Sequence, residues 1–327
     1  MIVRSVQFVA GPGGWVGAGG RVLVVWLLLV LGACSATSHP TVVTKLGVAG
    51  TLEELVASAS KPGPIVLRKR LAARWEVDRA GLINLNHPTA QRAGIGAGAE
   101  PIELYFYSVS HPSHGTYLID SGVARGLIRD GEASDISWLV RRAMGTDTLA
   151  VELALADWLN EQSAPLQGVL LTHIHLDHIL GLADLPLGTP VYIGPGETKP
   201  KGFQNLFTRG TTNRLLGHVG ALQEIAFSGG PIGDFAGVLD LFGDGSLWAL
   251  AVPGHSPGSL AFVANTATGP HLILGDASHT RWGWTNAVEP GTFSHNQTLS
   301  RQSLAALVAL AARLPGVRVH PGHQSLP

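Results

Sequence analysis

The 327-residue sequence predicts an α/β fold, two mixed sheets facing each other with helices outside, and three observations carry that prediction. Short apolar runs of the kind that make buried strands recur in both halves of the chain. Segments of helical period lie between them. In the second half the strands end in loops that carry His or Asp beside Gly. Hydrophobic residues make up 45% of the chain and charged residues 14%, enough for one substantial core. A formal net charge of -1 leaves no basic footprint, so nucleic acid is not an expected partner.

Residues 1–33 read as an export signal, not as part of the fold. Arg4 and Arg21 precede an apolar run from Val22 to Leu31. That run is too short to span a bilayer and has the length of a signal-peptide hydrophobic region. It leads into Leu31-Gly32-Ala33-Cys34, which resembles the bacterial lipobox, whose cysteine is acylated and becomes the mature N-terminus. The alternatives are an ordinary secretory signal or an uncleaved anchor. Cys34 is the only cysteine, so no intrachain disulfide is expected. Residues 34–44 read as a polar tether and 45–327 as a single domain. A lipid on Cys34 would be the one contact with a membrane.

Within the domain, Thr51 and Glu54 form a capping-box pattern that opens a helix over Leu52–Ser58. A Pro/Gly break leads to strands expected at Ile65–Arg70 and Trp75–Asp78, then a Gly/Ala loop over Gly94–Ala99. Stronger strands follow at Ile102–Val109 and Thr116–Asp120, joined by a turn with Pro112 and Gly115. Helical patterns cover Ile136–Ala143 and Thr148–Glu161. Val169–Thr172 then leads into His173, and Leu247–Val252 into Pro253-Gly254-His255. Leu272–Leu274 leads into Gly275-Asp276, and Val317–Val319 into His320-Pro321-Gly322-His323. A long helix, Thr298 to Leu314, carries Leu304, Leu307, Val308 and Ala311 along one face.

The central signal is His173-Ile174-His175-Leu176-Asp177-His178. The chain is still extended after a strand, so His173 and His175 share one face while Ile174 and Leu176 point to the core. Asp177 and His178 follow at the start of a helix containing Leu180 and Leu182. Imidazole suits zinc and other first-row metals, and carboxylates add hard oxygen ligands. His255, Asp276 and His323 each follow a glycine at the end of another strand. Taken singly, each is as much a turn residue as a ligand; as a set they extend the hexapeptide.

In this order the motifs resemble the metallo-β-lactamase superfamily, together with Leu118-Ile119-Asp120-Ser121-Gly122. The resemblance implies an αββα sandwich and two metal ions, expected to be zinc. It implies that His173, His175 and His255 hold one metal, that Asp177, His178 and His323 hold the other, and that Asp276 bridges them. Asp120 would orient the ligand loops, or simply cap a strand turn. His320 is the competitor of His323, but the Pro-Gly-His context favours His323. Two such metals, about 3.5–4 Å apart, turn a bridging water into hydroxide near neutral pH. Asp177 would take or relay a proton as the intermediate collapses.

Among the members, the motifs are most similar to N-acyl homoserine lactone lactonases. Asp276-Ala277-Ser278-His279-Thr280 resembles their Asp-Ala-Ser-Tyr-Thr, with His279 where they have the tyrosine that assists the carbonyl and leaving oxygens. The expected reaction is hydrolysis of a lactone or ester in a small molecule, with His279 donating to a developing oxyanion or merely lining the rim. Other hydrolases of the fold, acting on β-lactams, thioesters or phosphodiesters, remain open. Trp282, Trp284, Phe203, Leu206, Phe207, Leu215 and Phe227 read as ordinary core more readily than as an acyl pocket. Gly254-His255-Ser256-Pro257-Gly258 also fits a serine-hydrolase elbow, but Ser259–Ala264 reads as a strand where that elbow needs a helix. A non-catalytic metal-binding lipoprotein is the remaining alternative.

Overall fold

Strand residues alternate between two apolar surfaces, and that alternation sorts the chain into layers. The computed structural model describes residues 35–129, 136–200, 205–228 and 230–327. Cys34, the signal segment and Phe203 lie outside them. In chain order the first strands are β1 (Thr41–Thr44), β2 (Val48–Ala49), β3 (Val66–Asp78), β4 (Ala99–His111), β5 (Gly115–Ile119), β6 (Ala150–Val151) and β7 (Leu166–Leu170). Then come β8 (Val191–Ile193), β9 (Leu222–Ile225), β10 (Gly237–Asp240), β11 (Leu247–Ala251), β12 (Leu260–Thr266), β13 (Gly269–Ile273) and β14 (Arg318–His320). They form an eight-stranded sheet, β1-β9-β8-β7-β5-β4-β3-β6, and a six-stranded sheet, β14-β13-β12-β11-β10-β2.

Both sheets are mixed. From β1 through β5 the pairs of the larger sheet are parallel, and the rest are antiparallel; in the smaller sheet only β13 and β14 are parallel. Between the sheets Val109, Ile119 and Leu170 meet Leu247, Ala249, Phe262 and Ile273. On the far side of the larger sheet Leu104, Phe106, Leu118 and Val169 face Val140, Leu155 and Leu215 of helices Trp138–Met144, Leu155–Asn160 and Asn205–Leu215. On the far side of the smaller sheet Trp248, Leu250 and Val263 face Leu55 of helix Leu52–Ala59 and Leu307 and Leu310 of helix Gln297–Arg313. The expected sandwich, helix layers outside two facing sheets, is the one observed.

The capping box of Thr51 and Glu54 is present, and Asn296 caps the long helix, which runs Gln297–Arg313. Four sequence expectations need correction. Ile65–Arg70 and Trp75–Asp78 are parts of one strand, β3; its register shifts between Leu71 and Ala73, and this irregularity interrupts the alternation that marks a strand. Thr148–Glu161 is not one helix: Ala150–Val151 pairs with β3, and the helix begins only at Leu155. The helix expected around Leu180 and Leu182 is a short one, Leu176–Ile179, that holds Asp177 and His178 themselves, followed by a 3-10 turn at Leu182–Asp184. Finally, residues 37–44 are no free tether. Thr41–Thr44 pairs in parallel with Leu222–Ile225, and Ser38 and His39 bond to Asn213 and Gly220.

The topology gathers five loops at one edge. β5 runs parallel to β7, and β11, β13 and β14 share one direction. Their C-terminal ends release Asp120, His173–His178, His255, Asp276 and His323. Phe262 is fully buried between the sheets, so Phe262→Ala should lower unfolding free energy by about 3–5 kcal/mol in denaturant titration. A loss under about 1 kcal/mol would mean that the inter-sheet layer is not tightly packed there.

Candidate metal centre

The site is organised around one carboxylate. Asp276 is buried, and five imidazole nitrogens surround its Oδ2. The Nε2 atoms of His279, His178, His323, His255 and His173 lie at 3.1, 3.3, 3.3, 3.4 and 3.6 Å. Donor atoms fall into two groups that share Asp276: His173, His175, His255 and Asp276, and Asp177, His178, His323 and Asp276. These are the seven residues singled out in the sequence.

Each side chain is aimed by its own local structure. His173 follows β7 on extended chain, and its Nδ1–H donates to Thr172 Oγ1 (3.1 Å), leaving Nε2 free for the centre. His175 is the N-cap of the short helix, so Asp177 and His178 fall in that helix's first turn. Gly254 precedes His255 at φ 146°, and a Cβ there would sit 2.2 Å from Ser300 N at the start of the long helix. Gly322 precedes His323, and a Cβ there would lie 2.2 Å from Asp276 Oδ1. Both glycines therefore admit neighbours that any side chain would displace. His323 Nδ1–H donates to the Glu103 carbonyl (3.2 Å), which turns Nε2 inward.

Asp120 lies in the turn after β5 and reaches the ligand loop with its side chain. It stands at φ 58°, a left-handed conformation that Asp tolerates at a turn. Its Oδ1 accepts from Thr172 N (2.8 Å), and its Oδ2 accepts from His178 Nδ1 (2.9 Å). The second bond fixes the tautomer in which His178 Nε2 keeps its lone pair.

The donor set fits a cation. His255 Nε2 lies 3.1 Å from His173 Nε2 and 2.8 Å from His175 Nδ1. Three ring nitrogens so close cannot all carry protons, and a positive ion among them removes the lone-pair repulsion. His178 Nε2 and Asp276 Oδ1 are buried without a hydrogen-bond partner. Burial pushes His173, His175 and His255 below the ordinary histidine value, against the pull of nearby carboxylates, which keeps them neutral as ligands must be. In the second group burial opposes the charge on His178 and His323, but the carboxylates outweigh it. His178 is raised by Asp276, Asp120 and Asp177, and His323 is pushed up to about 10, chiefly by Asp276.

His279 joins the cluster, but not as a simple stand-in for a phenol. Its Nδ1–H donates to the Leu82 carbonyl (3.2 Å), so the neutral ring presents an Nε2 lone pair to the centre. Donation to an oxyanion therefore requires the ring to be protonated. His320 turns away and stacks on His271, its Nε2 2.9 Å from His271 Nδ1. A third group, His111, His114 and Asp244, lies at the opposite end of β4. There His111 Nδ1 accepts from the backbone of Ser113 and His114, so Nε2 carries the proton and donates to Asp244. No lone pair of His111 is left for a metal.

Glu197 was not legible in the sequence. It is buried at the centre of a knot between two ligand loops. Oε1 accepts from Ile174 N (2.9 Å), between His173 and His175, and Oε2 accepts from Ser256 Oγ (2.6 Å) and Gly258 N (2.8 Å), beside His255. Burial raises its pKa to about 7, against the three donors that lower it. Ser256 is thereby a buried donor to a carboxylate, and strand β12, not a helix, follows it. Of the apolar residues considered for a pocket, Leu215 is core, Phe227 packs against the layer between the sheets, and Leu206 and Phe207 are exposed. Trp284 packs against the smaller sheet's outer layer. Trp282 does line a cavity of about 760 Å³, with Trp75, Ile102, Arg74 and Arg281, and this cavity reaches His323.

Two losses of metal affinity are expected. Asp120→Asn should weaken binding about 10- to 100-fold by releasing His178. Glu197→Ala should loosen the His173, His175 and His255 group and leave the Asp177, His178 and His323 group nearly intact. Competition with a graded chelator series measures both, and unchanged affinity in either variant would contradict its assigned role.

The Metallo-beta-lactamase superfamily profile matches residues 105–323. Among curated proteins, N-acyl homoserine lactonase AttM of Azorhizobium caulinodans is 28% identical over 249 residues, covering 72% of this chain and 87% of that protein. Metallo-hydrolase mfmC of Annulohypoxylon moriforme is 31% identical over 221 residues, 62% of this chain and 55% of that protein. Among solved structures, a quorum-quenching N-acyl homoserine lactone lactonase superposes with TM-score 0.55 at 17% identity, over 80% of this chain and 92% of that one. A single-substitution mutant of AiiA from B. thuringiensis, with N-decanoyl-L-homoserine bound at its active site, gives TM-score 0.56 at 16% identity, over 80% of this chain and 94% of that one.

Proposed function

Because the chain belongs to the metallo-beta-lactamase superfamily and is a metal-dependent hydrolase, we propose that it is a dinuclear zinc enzyme that opens a lactone or ester in the manner of N-acyl homoserine lactone lactonases. The observation that carries this reading is the pair of donor groups sharing Asp276. His173, His175 and His255 would hold one ion, Asp177, His178 and His323 the other, with Asp276 common to both. Bound there, two zinc ions supply an activated water and polarise the substrate carbonyl. Asp177, more open than Asp120 or Asp276, would take or relay a proton as the intermediate collapses. His279, protonated, would donate from Nε2 toward the carbonyl or leaving oxygen, with Leu82 holding the ring in plane. The cavity bounded by Trp282, Trp75 and Ile102 would receive the apolar part of the substrate. Similarity to AttM and the Asp276-Ala277-Ser278 segment support the lactone over a β-lactam, thioester or phosphodiester.

Protein loaded with zinc should carry close to two equivalents by elemental analysis, and a clear single equivalent would refute the dinuclear assignment. A panel of lactones, esters, β-lactams, thioesters and phosphodiesters should show lactones with the highest kcat/KM. Asp177→Ala and chelation should abolish activity, the latter reversibly. A serine-directed fluorophosphonate should leave Ser256 unlabelled; labelling at Ser256 together with activity that survives chelation would establish serine chemistry instead.

We also propose that the protein is exported and anchored by a lipid on Cys34. Cys34→Ala should then stop incorporation of labelled palmitate and maturation at that residue. Wild-type protein that takes up no label would rule the anchor out.

A further inference from the structure

The described chain starts on the body of the domain. Ala36 packs against the outer core of the larger sheet. Ser38 N donates to Asn213 Oδ1 (3.0 Å), and Asn213 Nδ2 donates back to Ser38 Oγ (2.9 Å). His39 Nε2 donates to the Gly220 carbonyl (2.8 Å). Ser35, one residue after Cys34, is itself half-buried, with its hydroxyl on the Thr37 carbonyl. The residue that would carry the lipid is thus the covalent neighbour of a half-buried one, about 4 Å away between Cα atoms.

The helix that receives this segment, Asn205–Leu215, exposes apolar side chains. Asn213 lies seven residues, two turns and about 10 Å, from Leu206 along the same stripe. Leu206 is 36% exposed and Phe207 53%. Beside it, Ser137 N donates to Thr211 Oγ1 and opens helix Trp138–Met144, whose first residues, Trp138 and Leu139, are 69% and 51% exposed. Together the two helices contain Arg141, Arg142, Arg209 and Arg214 and no acidic residue. Exposed tryptophan, leucine and phenylalanine among arginines are the composition of a surface that sits at an anionic lipid interface.

We propose that this face, Trp138 and Leu139 with Leu206 and Phe207, rests on a lipid bilayer and is held against it by the acyl chain on Cys34. The proposal rests on the lipoprotein reading. A long free tether would let the domain turn any side to the membrane; a docked Ser35–His39 segment selects this one. Trp138 and Phe207 then enter the headgroup layer.

Acylation consumes the only native thiol, so one introduced cysteine can carry a nitrobenzoxadiazole probe without competition. Phe207→Cys and Leu139→Cys report on the face, and Lys61→Cys, beyond the helix on the opposite layer, is the control. Full-length chain is expressed with labelled palmitate and reconstituted in phosphatidylglycerol-containing vesicles with brominated acyl chains. The expected result is blue-shifted, bromine-quenched emission at positions 207 and 139 and water-like emission at 61. Palmitate incorporation with water-like emission at 207 and 139 overturns the proposal while leaving the anchor standing. Absence of palmitate overturns it earlier, through the anchor. Blue-shifted probes without vesicles, accompanied by doubled mass in sedimentation, overturn it in favour of a second copy of the chain.

Discussion

A buried carboxylate surrounded by five imidazoles is the constraint to which the rest of this structure answers. Asp276 cannot lie in an apolar interior uncompensated, and protons or metal ions are the only positive charges its neighbours allow. The acceptors around the rim determine which ring nitrogen faces inward. Thr172, Asp120, the Glu103 carbonyl and the Leu82 carbonyl each take an Nδ1–H. Four rings thus present Nε2 to the centre before any ion arrives, and binding need not select a tautomer.

The sandwich exists at this edge in a form suited to that task. Strands of both sheets end there, and their loops are joined by hydrogen bonds that belong to neither sheet. Leu260 N donates to the Thr172 carbonyl, and Glu103 N to the His323 carbonyl. Glu197 adds a third junction, drawing the backbone at Ile174 to the turn at Ser256–Gly258. The ligand loops therefore inherit the rigidity of two packed cores. A cavity opens beside His323, where β3, β4 and helix Arg281–Thr285 leave room.

What the sequence disclosed was local. His173 through His178 announce themselves because ligand, core and helix-start residues are interleaved within six positions, and Gly254 and Gly322 mark places where a Cβ cannot fit. The two-sheet architecture was readable because β11 and β12 are buried on both faces and stand out as apolar runs, as does the buried second half of β7. The failures are nonlocal. β3 looked like two strands because a register shift hides its continuity, and Thr41–Thr44 became a strand only because Leu222–Ile225 offers an edge far along the chain. Glu197 sits in Gly194-Pro195-Gly196-Glu197, a segment with the composition of any turn, and its three donors come from two other loops. The Leu82 carbonyl, which decides what His279 can do, carries no side-chain signal at all.

With one cysteine, this chain cannot close upon itself by a disulfide. Its candidate ligands nonetheless come from both sheets, and Asp177 and His323, which share one donor group, are 146 positions apart (323 − 177). An ion held between them would be a reversible cross-link spanning nearly half the chain, closing the seam between the two sheets as well as serving the reaction. Such a molecule would couple metal supply to its own lifetime: starved of metal, it would lose a staple along with its chemistry, and proteases would find the seam before any assay found the missing activity.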